Sequence, residues 1–395
     1  MYQLSNVKIR RTVSHREAIS AGEPGSLSRT TLRPFDATAA PNGTATVSAM
    51  SPPWLSILVP VYAVAPYLDA CIASILDQEV EGVEVIFVDD ASPDGEGAML
   101  RAWQARHPGR VRVITHPTNR GIAATRNTLL AHAHGEYLWF VDSDDLMAAG
   151  SIAALRQLLS TQRPDMVLCD FRVLRDDPAG QAQPGAARSR KHQRSCARDA
   201  HVTTFDGPAH VLSRSRDRLV RGLFNRGHMH LWSKIIRRKA WPSTLRFSEN
   251  RNFEDLELSP RLALSMNSYI HMPHPWIVYR QRQGSILSTP STAKLCEWMG
   301  AAAGYGSQLR TADAAIRPAT LFVVAHFLTR EWRNCVRAFD QMPCCPEARQ
   351  TRERFRDAWR RASPLSTREL TLAYLKRGQF RRCLQMHALL VGSHR

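Results

Sequence analysis

A chain of 395 residues with 53 Lys and Arg against 35 Asp and Glu has a formal charge of +18, which predicts an anionic partner: nucleic acid, acidic lipid or a phosphorylated ligand. Its 44% hydrophobic content is that of a globular protein with room for more than one domain, and excludes a wholly disordered chain. The best apolar run, Leu321 to Leu328, is broken by His326 and falls far short of the about 20 residues that a membrane-spanning helix requires.

Residues 1 to 53 are rich in Ser, Thr, Ala, Pro and Gly, and read as a disordered leader. The basic Lys8 to Arg11 is not followed by an apolar stretch, so no signal peptide is expected. The eight cysteines show neither C-x-x-C pairs nor zinc spacing, which predicts reduced, packed thiols and a cytoplasmic setting.

Leu55 to Val61 is a short apolar run with the look of a buried parallel strand. Pro66 opens a helix with Leu68, Ile72, Ile75 and Leu76 on one face. Glu84 to Asp90 reads as a second strand, Ser92 to Gly95 as a turn, and Met99 to Ala105 as helix. Val111 to Thr115 is a third strand, and Asn119-Arg120-Gly121 a turn into a helix ending near His132. A fourth strand runs from Gly135 to Asp142, followed by a helix over Ser151 to Ser160 and a strand over Met166 to Phe171. Strands alternating with helices predict an α/β fold with a mostly parallel sheet flanked by helices.

Asp176 to Asp199 is polar and basic and reads as an excursion from the fold. Arg214 to Lys239 holds nine Lys or Arg and a single acid, Asp217. Phe253 to Leu258 leads into a helix, and Ala301 onward reads as helices. From Thr351 to Arg395 there are eleven Lys or Arg against three acids, with aromatic and leucine residues between them.

Chemistry concentrates at the strand ends. In an open parallel sheet, ligands bind outside the carboxyl ends of the strands. Pro60-Val61-Tyr62, Asp89-Asp90, Asn119-Arg120-Gly121 and Asp142-Ser143-Asp144 all fall there. Side chains alternate along extended backbone, so Asp142 and Asp144 point the same way. Carboxylates so close repel unless a cation lies between them, and hard divalent ions take one or two carboxylates plus substrate phosphates. A metal–diphosphate site and a solvated acidic turn are both consistent with that pair alone. Neither G-x-G-x-x-G nor G-x-x-x-x-G-K-[ST] occurs, so a dinucleotide fingerprint and a P-loop are absent.

These pieces, LSILVPVY, VDDASPDG, N-R-G followed by A-T-R-N, GEYLWFVDSDD, HLWSKIIRR, FEDLEL and YRQRQGSILS, resemble in order and spacing the family 2 glycosyltransferases, which have the Rossmann-like GT-A fold. The resemblance covers roughly residues 54 to 290, leaving 291 to 395 as a basic helical C-terminal region. It implies an inverting transferase of hexosyl or N-acetylhexosaminyl type that uses a UDP-sugar and Mg²⁺ or Mn²⁺. The acceptor would be a glycan or a lipid-linked glycan, in surface polysaccharide synthesis such as capsule or exopolysaccharide.

It implies residue roles too. Pro60 and Tyr62 would line the base pocket, Asp90 would accept from the base NH, and Arg126 would reach the base or ribose. Asp142 would hold ribose or metal-bound water, Asp144 would ligate the metal, and Asp145 could cap the next element. Asp255 would be the base that takes the acceptor proton, with Glu254 orienting it. Trp232 and Lys234 would lie on the acceptor side, and Arg280, Arg282 and Ser285 on a mobile lid over the diphosphate. Each has a plainer reading: Tyr62 and Trp232 as core aromatics, the arginines as surface residues, and Glu254-Asp255 as the acidic start of a helix. The family usually has Asn where this chain has Ala63, and Gly or Asn where it has Ala91.

Two other classes compete. A nucleic-acid-binding protein would suit the charge, but no helix-turn-helix, zinc-finger or RNP pattern is present and none is expected to bind. A sugar nucleotidyltransferase would carry a Gly-rich basic loop after the first strand, and Val61 to Ala65 contains no Gly, Lys or Arg. The basic tail reads either as a peripheral contact with anionic lipid on the inner face of the plasma membrane or as helices packed on the catalytic domain.

Overall fold

The computed structural model describes residues 52–175, 200–249, 251–281, 291–311, 316–342 and 348–392. The leader up to residue 51 and the excursion over 176–199 lie outside the described residues.

Among the described residues nine strands form one mixed sheet: β1 (Leu55–Val61), β2 (Val83–Asp89), β3 (Val111–Thr115), β4 (Tyr137–Phe140), β5 (Leu146–Met147), β6 (Met166–Arg175), β7 (Ala200–Val202), β8 (Lys234–Arg237) and β9 (Tyr269–Gln281). The spatial order is β3-β2-β1-β4-β8-β6-β9-β5, with β7 beside β6. As the alternation of strand and helix predicts, β1 to β4 are mutually parallel. β8 then runs antiparallel between β4 and β6, and β9 pairs in parallel with β6. Among the strands, β5, β7, β8 and β9 were not predicted.

The crossovers α1 (Ala65–Leu76), α2 (Glu96–Arg106), α3 (Ile122–His132) and α4 (Ser151–Thr161) bury their apolar stripes on the sheet. In α1 that stripe is Leu68, Cys71, Ile72, Ile75 and Leu76, the face read from the sequence. The helices α5 (Arg216–Arg226) and α6 (Glu254–Ser265) follow, then α7 (Thr292–Ala301), α8 (Tyr305–Thr311), α9 (Pro318–Asp340), α10 (Ala348–Ala362), α11 (Thr367–Lys376) and α12 (Phe380–Gly392).

One hydrophobic cluster runs from Leu58 and Phe140 in the sheet through Leu223 and Phe327 to Trp359 and Met386. The C-terminal helices therefore pack on the sheet's helical layer through continuous apolar contact. Arg317 N donates to Asp217 Oδ1 at 2.8 Å, tying the start of α9 to α5. Five cysteines are described; all are free, and all but Cys296 are buried. No helix among the described residues is long and apolar enough to cross a membrane.

Candidate active site

Because β1 to β4 are parallel, their carboxyl ends lie along one edge, and the four motifs meet there. Asp90 N donates to Val61 O at 2.9 Å, and His116 N to Asp89 O at 2.8 Å, so each strand end is stitched to the next. Asp89 Oδ1 accepts from Ser92 N at 2.9 Å and closes its own turn.

Asp90 is buried, and its carboxylate has three partners. Oδ1 accepts from Arg120 N at 2.9 Å and lies 2.6 Å from His116 Nδ1, while Oδ2 accepts from Gly121 N at 2.8 Å. Its oxygens thereby hold the Asn119-Arg120-Gly121 turn at the strand end, and a carboxylate so engaged keeps a lone pair for the base NH expected there. Gly121 is needed in that turn, with φ 83° and ψ 164°, a region other residues enter only under strain. His116, which no sequence motif marked, continues the chain of contacts to Thr128 Oγ1 at 2.9 Å. Glu96 was also missed. It is fully buried, and its carboxylate accepts from Val64 N, Ala65 N and Asp94 N, fastening the β2–α2 turn to the start of α1.

Tyr62 stands 48% exposed at this edge, so the core reading of that ring fails. Pro60, expected beside it, is buried within β1. Ala63 and Ala91 take φ values of 51° and 59°. Both are left-handed positions where Gly or Asn fits with least strain, which accounts physically for the residues usual there.

After β4 the exposure alternates as expected. Asp142 and Asp144 are part-exposed, whereas Ser143 and Asp145 are buried. Asp145 does not cap the following element. Its Oδ1 accepts from Arg280 N at 2.8 Å, and Arg280 Nε donates to Asp144 O at 3.0 Å. Arg280 thus lies in β9, with its guanidinium 5.2 Å from the Tyr67 ring centre. Arg282 and Ser285 lie outside the described residues.

Arg126 is the centre of the site. It sits on α3 and is 2% exposed. Nη2 donates to Asp142 Oδ1 at 2.8 Å, and Nη1 to Glu254 Oε1 at 2.5 Å and also to Asp255 Oδ1. Both terminal nitrogens are thus engaged by carboxylates, one of them Asp142, the residue expected to hold ribose. Burial works against its charge, yet Asp255, Glu254 and Asp142 outweigh burial and hold its proton more firmly than usual.

The acids respond in the opposite sense. Burial pushes Asp142 up to about 6, with Arg126 opposing and Asp255 and Asp144 reinforcing. Burial likewise pushes Glu254 up to about 7 against Arg126, with Asp255 adding to the rise. Asp145 is raised well above the carboxylate range by burial, then by Asp144 and Asp142. Arg126, Arg280 beside Asp145 and Lys234 beside Asp255 are fewer than the five carboxylates of the cluster.

Glu254 and Asp255 open α6, whose first turn carries both plus Glu257, where the helix dipole favours acids. Asp255 Oδ2 accepts from Leu231 N at 3.1 Å, so both of its oxygens are held. That amide belongs to the Leu231–Ser233 turn, which also contains Trp232 and precedes Lys234.

Both residues expected on the acceptor side are buried. Trp232 is 1% exposed and Lys234 not at all. Trp232 stacks on His230 at 4.6 Å, meets Phe171 edge-on at 4.9 Å, and its carbonyl accepts from Trp139 Nε1 at 2.9 Å. Lys234 Nζ donates to His230 O at 2.6 Å, to His228 O at 3.1 Å and to Ser233 Oγ at 3.2 Å; burial lowers it to about 8, with Asp255 opposing. These two large side chains form the floor that fixes the Leu231 amide under Asp255.

No group of three or more His, Cys, Asp or Glu among the described residues is arranged to hold a metal. Two part-exposed carboxylates, Asp142 and Asp144, in a cluster short of positive charge fit an ion that completes its shell with phosphate and water. The arrangement can therefore hold a cation–diphosphate on one side and present a fixed carboxylate, Asp255, on the other, with Arg126 between them.

Residues 56–219 match the family model described as Glycosyl transferase family 2. An uncharacterized glycosyltransferase EpsJ of Bacillus subtilis is 37% identical over 119 residues, 30% of this chain and 34% of that protein. Glycosyltransferase GlyG of Streptococcus pneumoniae is 28% identical over 241 residues, 60% of this chain and 73% of that one. The chain thus spans about a third of EpsJ and most of GlyG. The fold is similar to that of S. aureus TarS 1–349 in complex with UDP-GlcNAc, with TM-score 0.61, 19% identity, and 86% and 92% of the two chains covered.

Proposed function

The chain carries a glycosyl transferase family 2 domain at residues 56–219, and on that footing we propose that it is a metal-dependent, inverting glycosyltransferase using a UDP-sugar, with a glycan or lipid-linked glycan as acceptor. The observation that carries the reading is the Arg126 junction, which ties Asp142 on the donor side to Glu254 and Asp255 on the acceptor side.

In this mechanism Asp142 and Asp144 would hold Mg²⁺ or Mn²⁺, which when bound would supply positive charge against the departing diphosphate. Tyr62 offers an open ring for the base. Asp255, fixed at both oxygens, takes the acceptor proton while the acceptor oxygen forms its bond to the anomeric carbon and the bond to the diphosphate oxygen breaks. Displacement from the opposite face inverts that carbon. Arg126 fixes Asp255 and Asp142 relative to each other, and Arg280 keeps the Asp144 backbone in place. A bacterial surface glycan is the pathway proposed, with transfer on the cytoplasmic side.

The test is a screen of UDP-, GDP- and dTDP-sugars with Mn²⁺, following donor hydrolysis and thermal shift. Asp144→Asn is expected to abolish metal-dependent nucleotide binding. Asp255→Asn is expected to keep that binding and lose transfer; normal transfer by Asp255→Asn would overturn the assignment of the base.

A further inference from the structure

The last two helices present a surface that the site does not use. The described residues expose eight large apolar side chains, and five of them, Leu372, Leu375, Phe380, Leu384 and Val391, lie on α11 and α12. Phe380, Leu384 and Val391 recur at helical spacing, so they share one face of α12. The two helices lie side by side, with Thr371 Oγ1 3.0 Å from His387 Nε2. From Thr367 to Gly392 there are five Lys or Arg and one acid. That acid, Glu369, is occupied in capping α11, where it accepts from Ser366 N at 2.7 Å.

Beside this face is a cleft of about 380 Å³ between α9, α10 and α12. Ala388, one turn beyond Leu384, is on its wall with Leu389, and Arg333, Arg337 and Arg352 line it against the single acid Asp340. Asp340 is already paired with Arg352 at 2.7 Å. Burial lowers the pKa of Arg333, and the neighbouring Arg337, Arg330 and Arg382 add to the fall.

We propose that the α11–α12 face is a docking surface for an anionic lipid bilayer, its exposed leucines and phenylalanine entering the headgroup boundary while Lys376, Arg381 and the arginine cleft engage lipid phosphates. Apolar side chains interleaved with basic ones are what such an interface binds. A second copy of the chain is disfavoured as occupant, because two such faces would bring like charges together. The surface is independent of the donor chemistry, so the fate of this proposal is separable from that of the transferase reading.

The experiment is co-sedimentation of the full chain with phosphatidylcholine vesicles, with and without about 30% phosphatidylglycerol. The chain is expected to sediment with the anionic vesicles alone and to be released as salt is raised. The double variant Phe380→Asp, Leu384→Asp, whose side chains are already exposed, is expected to weaken binding about tenfold or more. Lys376→Gln with Arg381→Gln should weaken it about fivefold per charge removed. Thermal unfolding and donor hydrolysis of both variants should match the unaltered chain. Failure to sediment with anionic vesicles, equal binding to neutral ones, or unchanged binding by the double aspartate variant would each overturn the proposal. So would a concentration-dependent dimer that Phe380→Asp, Leu384→Asp dissociates, which would give the face to self-association.

Discussion

Replacing Arg126 with Met removes the one cation that three carboxylates share, and the structure fixes what should follow. Arg126 is 2% exposed, and Met fills most of its length without a charge. Removing one partner of a buried ion pair costs about 3–5 kcal/mol, because the remaining charge is left uncompensated. The cost depends on pH. In the folded protein Glu254 lies at about 7 and Asp142 at about 6, against ordinary values of 4.5 and 3.8. Their folded values are the higher ones, so between ordinary and folded values the folded state binds more protons than the unfolded state. Stability is then fully present at low pH and falls as pH rises through that window.

For Glu254 in the unaltered protein the window runs from 4.5 to about 7. Without Arg126 only a backbone hydrogen bond opposes burial and Asp255, so the window extends to higher pH. In buffer containing a chelator, Arg126→Met should therefore be little worse than the unaltered chain at about pH 5 and lose about 3–5 kcal/mol at about pH 8. For a protein of this size that is a fall of roughly 4–6 °C in midpoint. Arg126→Lys keeps the charge but cannot reach Asp142 and the Glu254–Asp255 pair with two separate nitrogens, so it should fall between. Thermal unfolding of all three proteins at both pH values checks this. An equal loss at both, or none at the higher pH, would refute the view that Arg126 holds the acids together.

Gly121→Ala should lower stability by about 1–3 kcal/mol from backbone strain alone, since an added Cβ meets nothing within 4 Å; denaturant midpoints measure it. The same variant should loosen the turn on Asp90 and raise the KM for donor. Ala91→Gly relieves a left-handed alanine and should stabilise by about 0.5–1 kcal/mol after the larger unfolded-state entropy of glycine is counted, and Ala63→Asn should act in the same direction. Trp232→Ala should cost about 3–5 kcal/mol as a core deletion, and Trp232→Phe should leave acceptor KM unchanged; a large KM effect with native stability would restore the acceptor-wall reading.

Local pattern reveals what depends on neighbours in the chain. The apolar runs at Leu55 to Val61 and Glu84 to Asp90, the 3.6-residue stripe of α1 and the alternation of Asp142 and Asp144 each carry a period that reports which side meets the core. Because β1 to β4 are parallel strands joined through helices, the gathering of their terminal motifs at one edge was legible as well. β9, by contrast, is bent and bulged against β6, and its Pro273 and Pro275 hide its periodicity.

The partners of the polar groups were decided by the tertiary fold. Arg126 meets Glu254 at a separation of 128 residues, Arg280 N meets Asp145 at 135, and Asp90 spends its oxygens on backbone amides some 30 residues away. Trp232 and Lys234 carry large apolar bodies that suit a pocket wall and an interior equally, and only the packing of β8 between β4 and β6 selects the interior. The sequence by itself determined which residue types stand at the strand ends, since periodicity and chain direction are local properties. Which carboxylate is free, which is pinned and which cation sits between them depends on long-range contacts and desolvation, and those exist only once the chain has folded.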